Sequence, residues 1–185
     1  MKESFFEQPE SRTERLWAQY SAEVDHLVDS LGKEVDPNIR DTVTALRALG
    51  FHTNASCEGH LDRGLKAPWV DIGIVPEDVE QAMKAVHAKH QAPTPELTRR
   101  VQEVKQELLL ERKKLLDLLD SFYENRAVSS FTRLILDYGP NTVRLINQGV
   151  GIQDLYQPHQ QMENLEVFRE EMSDFAEFLK ARIGN

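Results

Sequence analysis

The chain has 185 residues and a formal net charge of −9, and 40% of its residues are hydrophobic while 29% are charged. This length and composition predict a soluble globular protein with one domain over residues 1–185, and the excess of negative charge argues against nucleic acid as a partner held by phosphate neutralisation. No stretch approaches the roughly 18 apolar residues that a bilayer-spanning helix needs, so we expect no membrane partner.

Cysteine usage and the first residues indicate a compartment. The opening sequence Met-Lys-Glu-Ser-Phe-Phe-Glu reaches a carboxylate before any apolar run develops, which predicts that no signal peptide is present. Cys57 is the only cysteine and cannot form an internal disulfide, as is typical of proteins in a reducing environment. We therefore expect a cytoplasmic protein.

The first predicted element is an amphipathic helix from about residue 11 to residue 31. Ser11 and Glu14 form a capping-box pattern at its start, and Gly32 suits a C-terminal cap. Apolar residues recur at helical spacing between these ends: Leu16, Trp17, Tyr20, Val24, Leu27, Val28 and Leu31.

A second helix is predicted to begin at Asp36-Pro37, because a capping carboxylate followed by proline at the first helical position is a strong start signal. Gly50 would end this helix. Four apolar residues form its buried stripe: Ile39, Val43, Leu46 and Leu49.

Two strands separated by a long loop follow that glycine. Residues 51–57 are poor in helix formers and alternate in character, and Trp69–Val75 alternates in the same way. The predicted faces are Phe51, Thr53, Ala55 and Cys57 on one side of the first strand, Val70, Ile72 and Ile74 on one side of the second, and Trp69, Asp71 and Gly73 on the other. A connection of this length is often functional.

A third helix is predicted from Pro76 to about His90, and a long fourth helix from about 95 to 126 with Thr94 as its cap. The fourth helix carries a heptad-like seam: Leu97, Val101, Val104, Leu108, Leu115, Leu118 and Phe122. We favour packing of this seam on the first or last helix of the same chain. A homodimer through the long helix is the competing interpretation.

The remaining sequence predicts a hairpin and a last helix. Phe131–Tyr138 and Thr142–Asn147 are rich in β-branched and aromatic residues, and Gly139-Pro140-Asn141 between them is turn chemistry. Apolar residues from Met162 to Ile183 recur at helical spacing. The order α-α-β-β-α-α-β-β-α predicts an α+β fold, with about four strands in one antiparallel or mixed sheet covered by helices.

Reactive side chains are concentrated in the loop after the first strand. Cys57, Glu58 and His60 are the candidate catalytic residues, because a thiol close to an imidazole can act as a nucleophile. A small buried hydrophobe is the favoured alternative for Cys57. The spacing of Cys57 and His60 also suits a divalent metal. The candidates to complete that metal site are His52, Glu58, Asp62 and Asp71.

A third hypothesis needs neither a metal nor covalent chemistry. Gly59 allows a sharp turn whose backbone N–H groups can hold an anion, and His60 and Arg63 add donors. The predicted ligand-binding residues for a small molecule are Ser56, Gly59, Asp62, Arg63, Trp69 and Asp71. For Trp69, packing in the core is favoured over stacking on a ligand.

The run Gly-Phe-His-Thr-Asn-Ala-Ser-Cys-Glu-Gly-His-Leu-Asp-Arg-Gly, followed by Pro-Trp-Val, resembles a group of uncharacterised bacterial proteins with a Ser-Cys-Glu-Gly-His signature. The strand end is also similar to Thr-Ser-Ser-Cys-Ser-Gly-Arg in the tRNA wybutosine-synthesis methyltransferase family. Ser56, Cys57 and Gly59 match that motif, whereas Glu58 and His60 depart from it. This second resemblance implies an RNA-modifying enzyme with an adenosyl cofactor.

Three functions follow from these patterns in order of preference. The first is a small-ligand or catalytic site in the Ser56–Arg63 loop, with a divalent metal as a candidate cofactor. The second is a homodimeric interaction protein that uses the long helix. The third is RNA modification.

Overall fold

A computed structural model describes residues 11–28, 32–73, 75–138 and 142–184. The helices are α1 (Arg12–Val24), α2 (Arg40–Ala48), α3 (Glu77–Ala88), α4 (Pro95–Tyr123) and α5 (Pro158–Lys180). The strands are β1 (Thr53–Cys57), β2 (Trp69–Ile72), β3 (Leu134–Tyr138) and β4 (Val143–Asn147), and short 3₁₀ helices span Pro37–Ile39 and Gln148–Leu155. The predicted α+β class and the predicted order of helices and strands are confirmed.

The four strands form one antiparallel sheet in the order β1-β2-β4-β3. The pairing of β2 with β4 joins the two predicted hairpins and leaves β1 and β3 at the edges. One face of the sheet packs its apolar side chains against the helices, as predicted for Val70 and Ile72, and both are fully buried. The opposite face carries Trp69, which is paired with Ile146.

The predicted face of Cys57 is wrong because β1 contains a β-bulge. Thr53 pairs with Ile72, but the next registered pair is Ala55 with Asp71, so Asn54 is an extra residue. One extra residue reverses the alternation of all side chains that follow it. Cys57 therefore pairs with Trp69 and lies on the face opposite to the buried Ile72.

Helix α1 ends at Val24, earlier than the predicted end at about residue 31, and Leu31 lies outside the described residues. The chain turns at Asp25, whose carboxylate forms an ion pair with Arg40, and Val28 then bridges Glu34 in antiparallel fashion. The apolar residues after Val24 therefore do not continue the helix. Instead they approach β1, and the predicted capping box of Ser11 and Glu14 is confirmed at the other end.

The seam of α4 is covered within the chain over both halves of the helix. Val104 in the N-terminal half lies beside Val79 of α3, whereas Phe122 in the C-terminal half packs against Phe175 of α5. The prediction of packing on the last helix is thus confirmed for one half, while the packing on α3 was not predicted. Thr94 caps α4 as predicted, through a hydrogen bond from Leu97 N–H.

Two predicted features lie outside the described residues, namely the turn at 139–141 and the placement of Ile74. Among the residues that the structure describes, no helix combines the length and the apolar character that crossing a bilayer requires.

Candidate metal and ligand site

Asp36, Cys57 and His60 converge next to the end of β1. Their ligand atoms, namely a carboxylate oxygen, the thiol sulfur and an imidazole nitrogen, all lie within 4.8 Å of one another. His60 Nε2 is 3.5 Å from Asp36 Oδ2. Because bonds of 2.0 to 2.3 Å around a tetrahedral ion place neighbouring ligand atoms about 3.5 Å apart, this separation suits a shared metal ion.

The loop after β1 and the start of α2 hold each other through two reciprocal hydrogen bonds. Glu58 N–H donates to Asp36 Oδ2 at 3.2 Å, and Asn38 N–H donates to Glu58 Oε2 at 3.1 Å. Asp36 was predicted to cap the second helix, but its side chain makes no capping hydrogen bond. Glu58 supplies the acceptor at the helix start instead, which turns the Asp36 carboxylate toward Cys57 and His60.

Arg169 of α5 fixes the loop from the other side. Its guanidinium donates to Glu58 O at 3.0 Å and to Gly59 O at 2.9 Å. Gly59 has φ of +79°, and a Cβ atom there would lie 2.6 Å from the backbone carbon of Ala67. The turn that separates Cys57 from His60 therefore requires glycine and is held by two bonds to a helix 110 residues further along the chain.

Two cations approach the candidate ligand atoms. Lys33 Nζ donates to Asp36 Oδ1 at 2.7 Å, and Arg63 Nη2 lies 3.3 Å from His60 Nε2. Since a guanidinium can only donate, this contact requires Nε2 to be the unprotonated nitrogen of His60. An unprotonated imidazole nitrogen is the form that binds a metal ion.

The protonation of the cluster follows from its surroundings. Burial raises the pKa of the Cys57 thiol, the backbone N–H of Gly59 opposes this, and the nearby Asp36 carboxylate raises the pKa further. Burial alone would also raise the pKa of Asp36, but the hydrogen bonds from Lys33 and from Glu58 N–H outweigh it and hold that pKa below its usual value. The protein without metal therefore holds a neutral thiol beside a carboxylate.

Two clefts meet at Cys57 and Trp69, and each has a volume of about 380 Å³. The first, here called the cationic cleft, is lined by His60 and by three cations: Lys33, Arg63 and Arg144. The second, here called the apolar cleft, is lined partly by apolar side chains that include Leu27, Val28, Val35 and Val43. A ligand in either cleft would contact the thiol.

The other predicted ligand-binding residues are divided between the clefts and structural roles. Ser56 lines the apolar cleft, and Trp69 lines both clefts with the Arg144 guanidinium 4.0 Å from its ring centroid. Asp71 accepts two hydrogen bonds from Arg144, at 2.7 and 2.8 Å, so it serves the sheet. Asp62 is 77% exposed beside Arg63 and does not join the cluster.

The residues proposed to complete a metal site are engaged elsewhere, and the third ligand comes from outside the loop. His52 contacts Glu111 of α4 at 2.6 Å, and Glu58 is used at the start of α2. Sequence reasoning missed Asp36, because the Asp-Pro pattern fits a helix cap so well. It also missed Lys33 and Arg169, for which the sequence offers no local signal.

Comparison of the chain with protein families, with curated proteins and with solved structures gives no match.

Proposed function

We propose that the chain binds a divalent metal ion through Asp36, Cys57 and His60 and that this ion forms the centre of a small-ligand or catalytic site. The convergence of the three ligand atoms within 4.8 Å carries this proposal. Oxygen, sulfur and nitrogen ligands together favour zinc over magnesium or calcium, because the hard cations prefer oxygen alone.

Three protein ligands leave one tetrahedral position for water or a ligand, which is typical of catalytic rather than structural zinc sites. The two clefts beside Cys57 give a ligand access to that position. A metal ion there would polarise a carbonyl or phosphoryl group or activate a bound water. The chain supplies the geometry through Glu58 and Arg169, which fix the loop from outside the ligand set.

The thiol fits the role of a metal ligand better than the role of a nucleophile. A catalytic cysteine needs a lowered pKa, whereas burial and Asp36 raise the pKa of Cys57. A metal ion would replace the thiol proton directly, since coordinated thiols are deprotonated. The raised pKa therefore opposes the thiol-nucleophile hypothesis and leaves metal ligation unaffected in kind.

The test is metal analysis of the purified protein after loading with Zn²⁺ or Co²⁺ and gel filtration. We expect about one ion per chain, a thiolate-to-cobalt charge-transfer band, and protection of the sole cysteine from a thiol reagent. His60→Ala and Asp36→Asn should lose most of the bound metal and the protection.

His52→Ala is the matched control, because His52 also contacts a carboxylate but lies outside the cluster. It should bind metal like the wild type. Absence of stoichiometric metal from the wild-type protein and from every variant would refute the proposal and leave the cluster as a hydrogen-bonded group.

We propose homodimerisation as a second function because α4 exposes leucines outside its seam. Leu109 is 60% exposed and Leu116 is 40% exposed, and residues seven apart lie on one helix face. A second copy of α4 could cover this face. Sedimentation at several concentrations would show a dimer that Leu109→Asp weakens, whereas a strict monomer at all concentrations rules it out.

We also propose that the protein works in the cytoplasm, because a single thiol reserved for a metal ion needs a reducing compartment. Cell fractionation tests this location, and recovery of the protein from an oxidising compartment would contradict it.

A further inference from the structure

We propose that the cationic cleft binds an oxyanion, a phosphate or carboxylate group of the ligand, and that Lys33 and Arg63 move from the metal ligands to this anion when the metal ion enters. This inference rests on the proposed metal site and names the ligand class for it.

The first support is the position of the two cations. Lys33 Nζ is bonded to Asp36 Oδ1 at 2.7 Å, and Arg63 Nη2 is 3.3 Å from His60 Nε2. These are atoms that the metal ion would use. A cation and a metal ion cannot share one lone pair, and both are positive, so metal binding expels each side chain from its ligand atom.

The second support is the space that receives the expelled side chains. Both Lys33 and Arg63 already line the cationic cleft, together with Arg144. Arg63 is 61% exposed and Lys33 is 54% exposed, so each has room to reorient without unpacking the core. The movement therefore needs side-chain rotation alone.

The third support is the charge of the cleft. Among the described residues that line it, three are cations and none is a carboxylate, in a protein whose net charge is −9. The metal ion brings two positive charges, and the Asp36 carboxylate and the Cys57 thiolate balance them. Lys33 and Arg63 then remain as an uncompensated positive pair beside the open metal position.

Arg144 has a different role in this cleft. Asp71 holds its guanidinium through two hydrogen bonds, and the guanidinium lies over the ring of Trp69. It therefore stays on the sheet and forms a fixed wall, while Lys33 and Arg63 supply the movable donors. Bidentate binding to Arg63 suits the geometry of both phosphate and carboxylate.

The experiment follows inorganic phosphate and acetate with the Co²⁺-loaded protein. The paramagnetic ion shortens the relaxation of ³¹P in phosphate or of ¹³C in acetate only when the anion lies near the metal. We expect this effect with at least one probe. Lys33→Gln and Arg63→Gln should each weaken the anion affinity about tenfold, the loss of one charge-assisted hydrogen bond, while Co²⁺ affinity stays equal or rises.

Lys66→Gln is the control, because Lys66 belongs to the same loop but forms an ion pair with Asp154 away from the cleft. It should leave both affinities unchanged. An effect with phosphate only or with acetate only supports the inference and identifies the anion.

Two results overturn the inference, and they differ from each other. If Co²⁺ gives the thiolate band but neither anion is relaxed, or if Lys66→Gln weakens anion binding as much as Arg63→Gln, the oxyanion site fails and the metal site stands. If Co²⁺ does not bind at all, the proposed function fails as well.

Discussion

Gly59 sets the distance between Cys57 and His60 by adopting a backbone conformation that other residues avoid. Its φ is +79°, and an added Cβ would meet the Ala67 backbone at 2.6 Å and Leu165 Cδ1 at 2.8 Å. We predict that Gly59→Ala lowers the free energy of unfolding by about 3 kcal/mol or more, since the left-handed strain and the backbone clash add. Chemical denaturation measures this loss.

Gly64→Ala separates the two causes. Gly64 has φ of +63° but no atom within 4 Å of the added Cβ. Its substitution should therefore cost only the conformational strain, about 1 kcal/mol. Equal losses for the two variants would show that the close approach of Ala67 does not matter.

The site could be predicted from the sequence only as far as its members are neighbours in the chain. The spacing of Cys57 and His60 identified that pair, and the polarity of the loop identified Arg63 as a cleft residue. Asp36 contacts the pair through the fold and not through spacing. The resemblance at Ser56 and Gly59 adds no contact, and RNA modification stays a hypothesis.

At the scale of elements, the sequence predicts what repeats and misses what interrupts the repeat. The order of helices and strands follows from regular apolar spacing. The extra residue Asn54 in β1 leaves no mark in composition, yet it moves Cys57 to the other face of the sheet. Leu27 continues the helical spacing of α1 but lines the apolar cleft after the turn at Asp25.

The long helix shows the same limit. Its heptad pattern predicts an apolar seam, and Leu115 and Phe122 are buried as expected. The pattern cannot say which helix covers the seam, because α3 and α5 both present apolar faces. Tertiary packing decides this, and it assigns one half of the seam to each neighbour.

At the scale of the whole molecule, the hydroxyl of Tyr123 joins three elements. It donates to Glu171 Oε1 of α5 at 2.8 Å and accepts from Leu134 N–H of β3 at 2.7 Å. Burial raises the pKa of Tyr123, the Leu134 N–H opposes this, and the Glu171 carboxylate raises the pKa further. The phenol therefore remains protonated and keeps the end of α4 attached to both the sheet and the last helix.

We predict that Tyr123→Phe lowers the free energy of unfolding by about 1–3 kcal/mol, because it leaves the Leu134 N–H and one Glu171 oxygen without their buried partner. For a chain of this size, that loss lowers Tm by several degrees, roughly 2–4 °C per kcal/mol. Thermal unfolding followed by circular dichroism measures it.

Tyr138→Phe provides the comparison, because Tyr138 is 57% exposed. Its stability should stay within about 0.5 kcal/mol of the wild type. A Tyr123→Phe protein as stable as Tyr138→Phe would contradict the role assigned to the buried hydroxyl.

The grip of Arg169 on the loop has a consequence for the order in which the molecule is made. Arg169 contacts Glu58 O across 111 residues of sequence. During synthesis, Cys57 and His60 leave the ribosome long before the residue that fixes their turn. The proposed ligand set is therefore complete in sequence but not yet rigid while the rest of the chain is being added. Tight metal capture then belongs to the finished fold, and the ion would report that α5 has docked.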